Sequence, residues 1–420
     1  MRKHDRGSKP HLRPVTRIEL SEQNIKTRTI LLVVFLSIGI VALVIGLFQF
    51  VNVEPGWHEI QVNSDQPNCG SEFTLMYDFS DYGGSATEAN RQLIRLYTQA
   101  TEDAFRIFSP DVEDPGQKNL QYLNSHPNEV VSVDPVLYEA FALLEQYGNR
   151  SVYLAPVYDE YQRIFLCENP QEAALYDPAY NVELVPYITQ AAAYANDPEM
   201  IRVELLGENR VKLTVSESYL AFIREYEIDT LADFSWMRNA FTADYIARVL
   251  QEQGFTCGYI ASFDGFTRNL DQRQREYSIN VFHRQDTDIF IPAQLCYSGA
   301  MSLVVLRDFP LSQEDRWHYF TYESGDTTTI HLDSTDGRSK ASIDSLTCYS
   351  SQTGCSEILL QMIPVYIAEN FQTEPLGLLA QQQIYSLWCD ATSVCHNDPD
   401  ARLTLLPERS GTVTEIKKVS

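Results

Sequence analysis

Twenty-two consecutive residues without a charge, 29–50 (TILLVVFLSIGIVALVIGLFQF), constrain this chain more than any other feature. At about 1.5 Å of rise per residue, a helix of that length covers about 33 Å, against about 30 Å for the hydrocarbon core of a bilayer. A run this apolar does not suit the surface of a globular domain, so it divides the chain into a short segment before it and a long one after it. A cleaved secretory signal would have a shorter apolar region and a small-residue cleavage site. The VNVEPGW that follows offers no such site. The expectation is an uncleaved transmembrane helix.

Charge separates the two flanks. Residues 1–28 hold eight Lys/Arg against three Asp/Glu, a balance of +5, in a chain whose formal net charge is −25; the remainder therefore carries −30. The basic flank is expected to stay cytoplasmic, which puts residue 51 onward outside the membrane. A surface that acidic repels phosphate backbones, so nucleic acid is excluded as a partner class. With 420 residues, 44% of them hydrophobic, the chain can bury a sizeable core. Eight cysteines in an extracytoplasmic domain could pair, Cys348 with Cys355 or Cys389 with Cys395, or remain buried thiols; spacing alone leaves this open. No CxxC or His-rich tract points to zinc, and Gly-x-Ser-x-Gly, Walker and His-Glu-x-x-His motifs are absent.

Periodicity predicts a strand within 58–79 and a helix over 87–108. A second helix follows Asp134 as N-cap, with Pro135 at its first position and Gly148 at its end. Two short helices interrupted by Pro178 and Pro186 are expected over 172–195, and a hairpin turning at Glu208-Asn209 over 202–216. A helix over 242–253, a buried strand over 256–263, several short β-runs between 277 and 347, and an apolar helix over 357–369 complete the reading. Strands mixed with helices, without a regular βαβ rhythm, predict an α+β fold. The expected organisation is a basic tail (1–28), a transmembrane helix (29–50), an extracytoplasmic domain (51–405) and a polar C-terminal tail (406–420).

Residues 233–265 (DFSWMRNAFTADYIARVLQEQGFTCGYIASFDG) read as an entry turn, an amphipathic helix, a Gly break, a strand and an Asp-Gly turn. Ahead of them come Cys69-Gly70-Ser71 at the entry to a strand, Phe108-Ser109, and a Leu-x-x-Leu-Asn step at Leu120–Asn124. Behind them comes a loop from His331 to Gly337, with Asp333 four residues before that glycine. This ordered set, over about residues 60–400, resembles the FAD:protein FMN transferases, the ApbE-like family. The resemblance implies a mixed sheet-and-helix α+β ectodomain behind one N-terminal transmembrane helix. It also implies Mg²⁺-dependent transfer of FMN from FAD to a Thr or Ser of an acceptor flavoprotein. By the same resemblance His331 and Asp333 would be catalytic, and Gly70, Ser71, Asn239, Asp244, Asp264 and Gly265 would surround the FAD. Glu357 and Gln361, at i and i+4, would hold Mg²⁺, a register with Ser356 and Leu360 being equally defensible.

The chain departs from the family pattern where charge matters. In the family's Asp-x-Gly-Gly-x-Ala-Lys-Gly run, Asp233 is kept, Ser235 and Trp236 fall at the glycine pair, Asn239 at the lysine and Ala240 at the last glycine. The Asn-Leu-Gly-Gly turn becomes Ser262-Phe263-Asp264-Gly265, and the histidine of the later loop is displaced by one position. Glycine pairs let backbone N–H groups approach phosphate oxygens, and a lysine neutralises them. Two readings therefore stand: a divergent, active flavin transferase, or a non-catalytic descendant that binds flavin or a partner protein at the membrane surface.

Overall fold

The computed structural model describes residues 29–31, 33–40, 54–114, 116–312 and 314–419. They fall into two units, Met1–Glu54 and Pro55–Ser420. In the first, residues 29–31 and 33–40 are helical. The expected tail 1–28, and residues 32 and 41–50 of the expected span, lie outside the described residues. Among the described residues no helix is long and apolar enough to cross a membrane.

In the second unit, nine strands form the main sheet: β1 (Trp57–Ile60), β2 (Phe73–Asp78), β3 (Gly258–Ser262), β4 (Phe266–Asn269), β5 (Met301–Arg307), β6 (Ser345–Ser350), β7 (Tyr385–Cys389), β8 (Ser393–His396) and β9 (Glu415–Lys418). Their order across the sheet is their order along the chain. Neighbours are antiparallel except β8 and β9, which run parallel. The helices arrive as insertions into this meander, which is why the sequence shows no βαβ rhythm. The longest insertion, between β2 and β3, contains α1 (Ala86–Phe108), α2 (Pro135–Gln146), α3 (Ala155–Leu166) and α4 (Arg238–Glu252); α5 (Cys355–Tyr366) lies between β6 and β7. The fold is α+β with a large mixed sheet.

Local chemistry explains the elements that were legible. Asp134 Oδ1 accepts from Val136 N at 2.7 Å and Pro135 opens α2. Glu208 and Asn209 have φ of 53° and 58°, as a two-residue hairpin turn between Ile201–Leu205 and Arg210–Val215 requires. Elsewhere the structure corrects the reading. The single strand expected over 58–79 is two, β1 and β2. Pro186 opens the helix Val185–Asn196 rather than interrupting one. The helix expected from 242 begins at Arg238, after a 3₁₀ turn over Ser235–Met237. The apolar helix begins at Cys355, with Pro364 inside it. A long strand, Asp288–Ser298, pairs with Glu276–Gln285 although Pro292 interrupts its apolar run. The expected C-terminal tail instead supplies β9, and Val413 beside it is buried.

Successive residues of a strand face opposite ways, and the sheet uses both faces. Val304, Leu306, Leu346, Trp388 and Cys395 belong to the core shared with the helices. Leu303, Tyr349, Leu387, Cys389 and Val394 belong to a second core, closed by Val281, Leu295 and Tyr297 of the long hairpin. Cys389 and Cys395 thus lie on opposite faces and cannot bridge. All eight cysteines are free thiols.

Candidate functional site

Asp233 Oδ1 accepts from Ser235 N at 2.9 Å and sets the turn that leads into α4. Ser235, at a position where the family pattern has glycine, has φ of +45°, a left-handed backbone that serine adopts only under constraint. The turn delivers Arg238 and Asn239 to the first turn of α4. Opposite, the β3–β4 turn presents Asp264. Gly265 has φ of +109°, and a Cβ there would lie 2.3 Å from the Val305 carbonyl oxygen. Only glycine fits, and the Val305 N to Gly265 O bond at 2.9 Å pins the turn to β5.

Between these elements lies a cavity of about 230 Å³ whose charged lining is Glu72, Asp233, Arg238, Asp264 and His318, with Asn239 among them. Two smaller cavities, about 160 and 80 Å³, share Glu72 and Asn239 with it. Asn239 Nδ2 donates to Glu72 Oε2 at 2.5 Å and to Asp264 Oδ2 at 2.9 Å. Asp264 Oδ1 is buried without a hydrogen-bond partner. Burial pushes the Asp264 carboxyl above its usual range, against the opposing pull of His318, and the Glu72 charge pushes it further up. Burial raises Asp233 as well, against the pull of Arg238. Arg238 Nη2 stands 3.7 Å from Glu72 Oε1. Three carboxyl groups face one guanidinium and one imidazole.

The structure brings some expected site residues together and separates others. Asn239 and Asp264 meet directly, Gly265 supports the turn, and Gly70 lines the adjoining 160 Å³ cavity. Ser71 donates to Asn68 O at 2.9 Å on the exposed side of the same loop. Asp244 caps α5: it accepts from Cys355 N at 2.9 Å, Ser356 N at 2.8 Å and Ser356 Oγ at 2.6 Å, with Arg268 Nε at 3.4 Å. It lines a different cavity, of about 350 Å³.

Neither residue of the expected catalytic pair lines this cavity. His331 is buried, its ring 4.8 Å from Trp236, 5.3 Å from Tyr366 and 6.2 Å from Tyr319, and its Nδ1 has no partner. Burial, with His318 and Arg307 adding to it, holds its pKa down to about 3. Ile330 lines the cavity instead. Asp333 is a turn former that accepts from Thr335 N and Lys340 Nζ, both at 2.8 Å; the same ammonium meets Asp336 at 2.8 Å and Glu369 at 2.6 Å.

The expected Mg²⁺ donors also do not fit that role. Glu357 Oε1 accepts from the Tyr147 hydroxyl at 2.5 Å, and Gln361 Nε2 donates to the Tyr147 hydroxyl oxygen at 3.2 Å. In the alternative register, Ser356 is bound to Asp244 and Leu360 is buried. Among the described residues no three Asp, Glu, His or Cys side chains converge as a cation site. Sequence reasoning missed Glu72, Arg238, Trp317 and His318. The first two adjoin residues that it named. His318 and Trp317 come from a 3₁₀ turn, Glu314–His318, placed by the Ile330 N to His318 O bond at 3.1 Å, and no spacing in the sequence signals that.

Among solved structures, the chain is similar to the ApbE protein of Thermotoga maritima, with a TM-score of 0.54 at 13% identity over 79% of this chain and 93% of that one. The chain has an ApbE-like fold. The flavinyl transferase ApbE of Pseudomonas stutzeri gives 0.48 at 14% identity, covering 84% and 94% of the two chains. The flavin transferase ApbE of Vibrio cholerae gives 0.46 at 14% identity, covering 79% and 93%. No family profile and no curated protein matches the chain. In this ApbE-like fold, segment 233–265 supplies two walls of the cavity, from α4 and from the β3–β4 turn.

Proposed function

We propose that this chain is a membrane-anchored, extracytoplasmic protein on an ApbE-like fold whose cavity binds a ligand without transferring FMN. The charge-free run 29–50 and its basic flank support the anchor and its orientation. The bond pattern of Asn239 carries the functional reading. At the position of the family's lysine stands an amide committed to two carboxylates, Glu72 and Asp264. A diphosphate placed there would meet negative charge in a partly desolvated site, where such repulsion is weakly screened. Phosphoryl transfer needs positive groups on the phosphate oxygens, and this cavity sets one guanidinium, Arg238, and the His318 imidazole against three carboxyl groups.

A second reading has its own support. A buried carboxyl with a raised pKa beside an imidazole is a pattern of working active sites, and Asp264 with His318 has that form. On that reading the protein is a divergent transferase acting on a flavoprotein acceptor. Titrating riboflavin, FMN and FAD against the purified chain, with and without Mg²⁺, separates the two. The proposal expects the phosphates to add no affinity and Mg²⁺ to change nothing. Tighter binding of FAD than of riboflavin, strengthened by Mg²⁺, would favour the transferase.

A further inference from the structure

Trp57 opens β1 at one edge of the main sheet and is 38% exposed. Its ring belongs to a cluster. Tyr259 of β3 stands 6.0 Å from it, and Tyr277 of the long hairpin meets it edge-on at 6.3 Å. The Arg275 guanidinium lies over the indole at 5.4 Å and reaches Asp78 Oδ2 at 2.5 Å. Arg273 holds the neighbouring acids: Asp78 at 3.1 Å, Asp81 at 3.0 Å and Asp271 at 2.8 Å. Two arginines thus answer three carboxylates, which leaves this patch close to neutral in a chain that carries −30 after residue 28. Six residues, 51–56, separate the charge-free run from Trp57. Fully extended, that connection reaches at most about 25 Å, at about 3.3–3.6 Å per residue.

Trp and Tyr collect at membrane–water interfaces because their rings are apolar while their N–H and O–H groups seek water. Arg lays its methylene stem on apolar surface and keeps its charged head wet. A Trp–Tyr–Tyr cluster with an arginine over it has that chemistry, and the short connection to the charge-free run sets it near the head groups. Resting on the membrane anchor of the proposed function, we propose that the Trp57 face docks on the bilayer, with Trp57 and Arg275 among the lipid head groups. Exposed acids close by, Glu59 on the same strand and Asp81, favour zwitterionic over anionic lipid. One tryptophan and its arginine make a weak contact alone; the anchor makes it effective by keeping the face at high local concentration. Docking would orient the domain on the membrane without using any residue that lines the cavity around Asn239.

Tryptophan quenching tests this with the full chain reconstituted in phosphatidylcholine vesicles that carry a nitroxide on the choline head group. The chain has four tryptophans, and Trp57→Phe removes only this one. The parent is expected to be quenched, and Trp57→Phe to lose at least about half of that quenching, as for an indole at the interface. Inserting about twenty Gly/Ser residues after residue 53 adds about 25 Å of r.m.s. length. A domain merely held close would then drift from the quencher, whereas a docked face should keep its quenching within about twofold. The proposal is overturned if the parent is not quenched, if Trp57→Phe is quenched like the parent, if the insertion lowers quenching as far as Trp57→Phe does, or if quenching requires phosphatidylglycerol. Flotation of the same vesicles after an alkaline wash reads the anchor separately. A chain that washes off refutes the anchor and this proposal together, and one that floats unquenched refutes the docking alone.

Discussion

An amide that hydrogen-bonds two carboxylates lets them stay close without a metal or a lysine between them, and Asn239 does this for Glu72 and Asp264. Asn239→Ala would leave both acceptors partly buried and unanswered, at a cost of about 1–3 kcal/mol in urea unfolding. Two further residues give opposite pH dependences. Asp264 has a folded pKa above its ordinary 3.8, so its contribution is greatest below that value and is lost as pH rises through the raised one. Asp264→Asn should abolish that decline. His331 is held at about 3 against an ordinary 6.5, so its contribution is present above pH 6.5 and is lost as pH falls toward 3. The slope of that loss is at most about 1.4 kcal/mol per pH unit. His331→Phe should flatten the acid limb of stability measured between pH 7 and 4. At this scale Asn239 and Asp264 stood out in the sequence by their positions in an ordered motif, and the structure brings the two side chains together. That Ile330 lines the cavity while the His331 ring packs among Trp236, Tyr319 and Tyr366 has no signal in the sequence.

Single residues also decide how elements meet. Asp244 on α4 caps α5 through Cys355 N, Ser356 N and Ser356 Oγ, a cap supplied from another helix while Gly354 at the N-cap offers no side chain. Asp244→Ala should cost about 2 kcal/mol, at the upper end for caps, because the cap between the two helices is lost and Arg268 loses its ion partner. Gly265→Ala should cost at least about 2 kcal/mol, since a left-handed backbone and overlap with the Val305 carbonyl act together. Both losses are read from urea midpoints. Elements with strong local signals, α2 with its cap and the Glu208-Asn209 hairpin, were legible in the sequence. The start of α4 was not, because a 3₁₀ turn replaces the cap residue that would have marked it. Nor was Asp288–Ser298, because Pro292 breaks the apolar pattern that identifies a strand.

The second unit is built on a nine-stranded sheet that buries both faces, one under the helices and one under the long hairpin. That arrangement makes the C-terminus structural. A chain ending at Leu405 would lose β9 and Val413, exposing the edge of β8, and should melt at a lower temperature than the full chain rather than behave like a trimmed tail. The mixture of strands and helices, and the resemblance of segment 233–265, made the fold class legible. The second core was not, because a strand buried on both faces reads as an unbroken apolar run whichever layer covers it. On the proposed reading, an ApbE-like fold surrounds a cavity whose charge opposes a diphosphate. Incubating the full chain with FAD, Mg²⁺ and an acceptor flavoprotein domain, then reading covalent flavin fluorescence on the denatured acceptor, tests that claim most directly. No fluorescence on the acceptor is expected. Labelling that requires FAD and disappears in Asp264→Asn would contradict it.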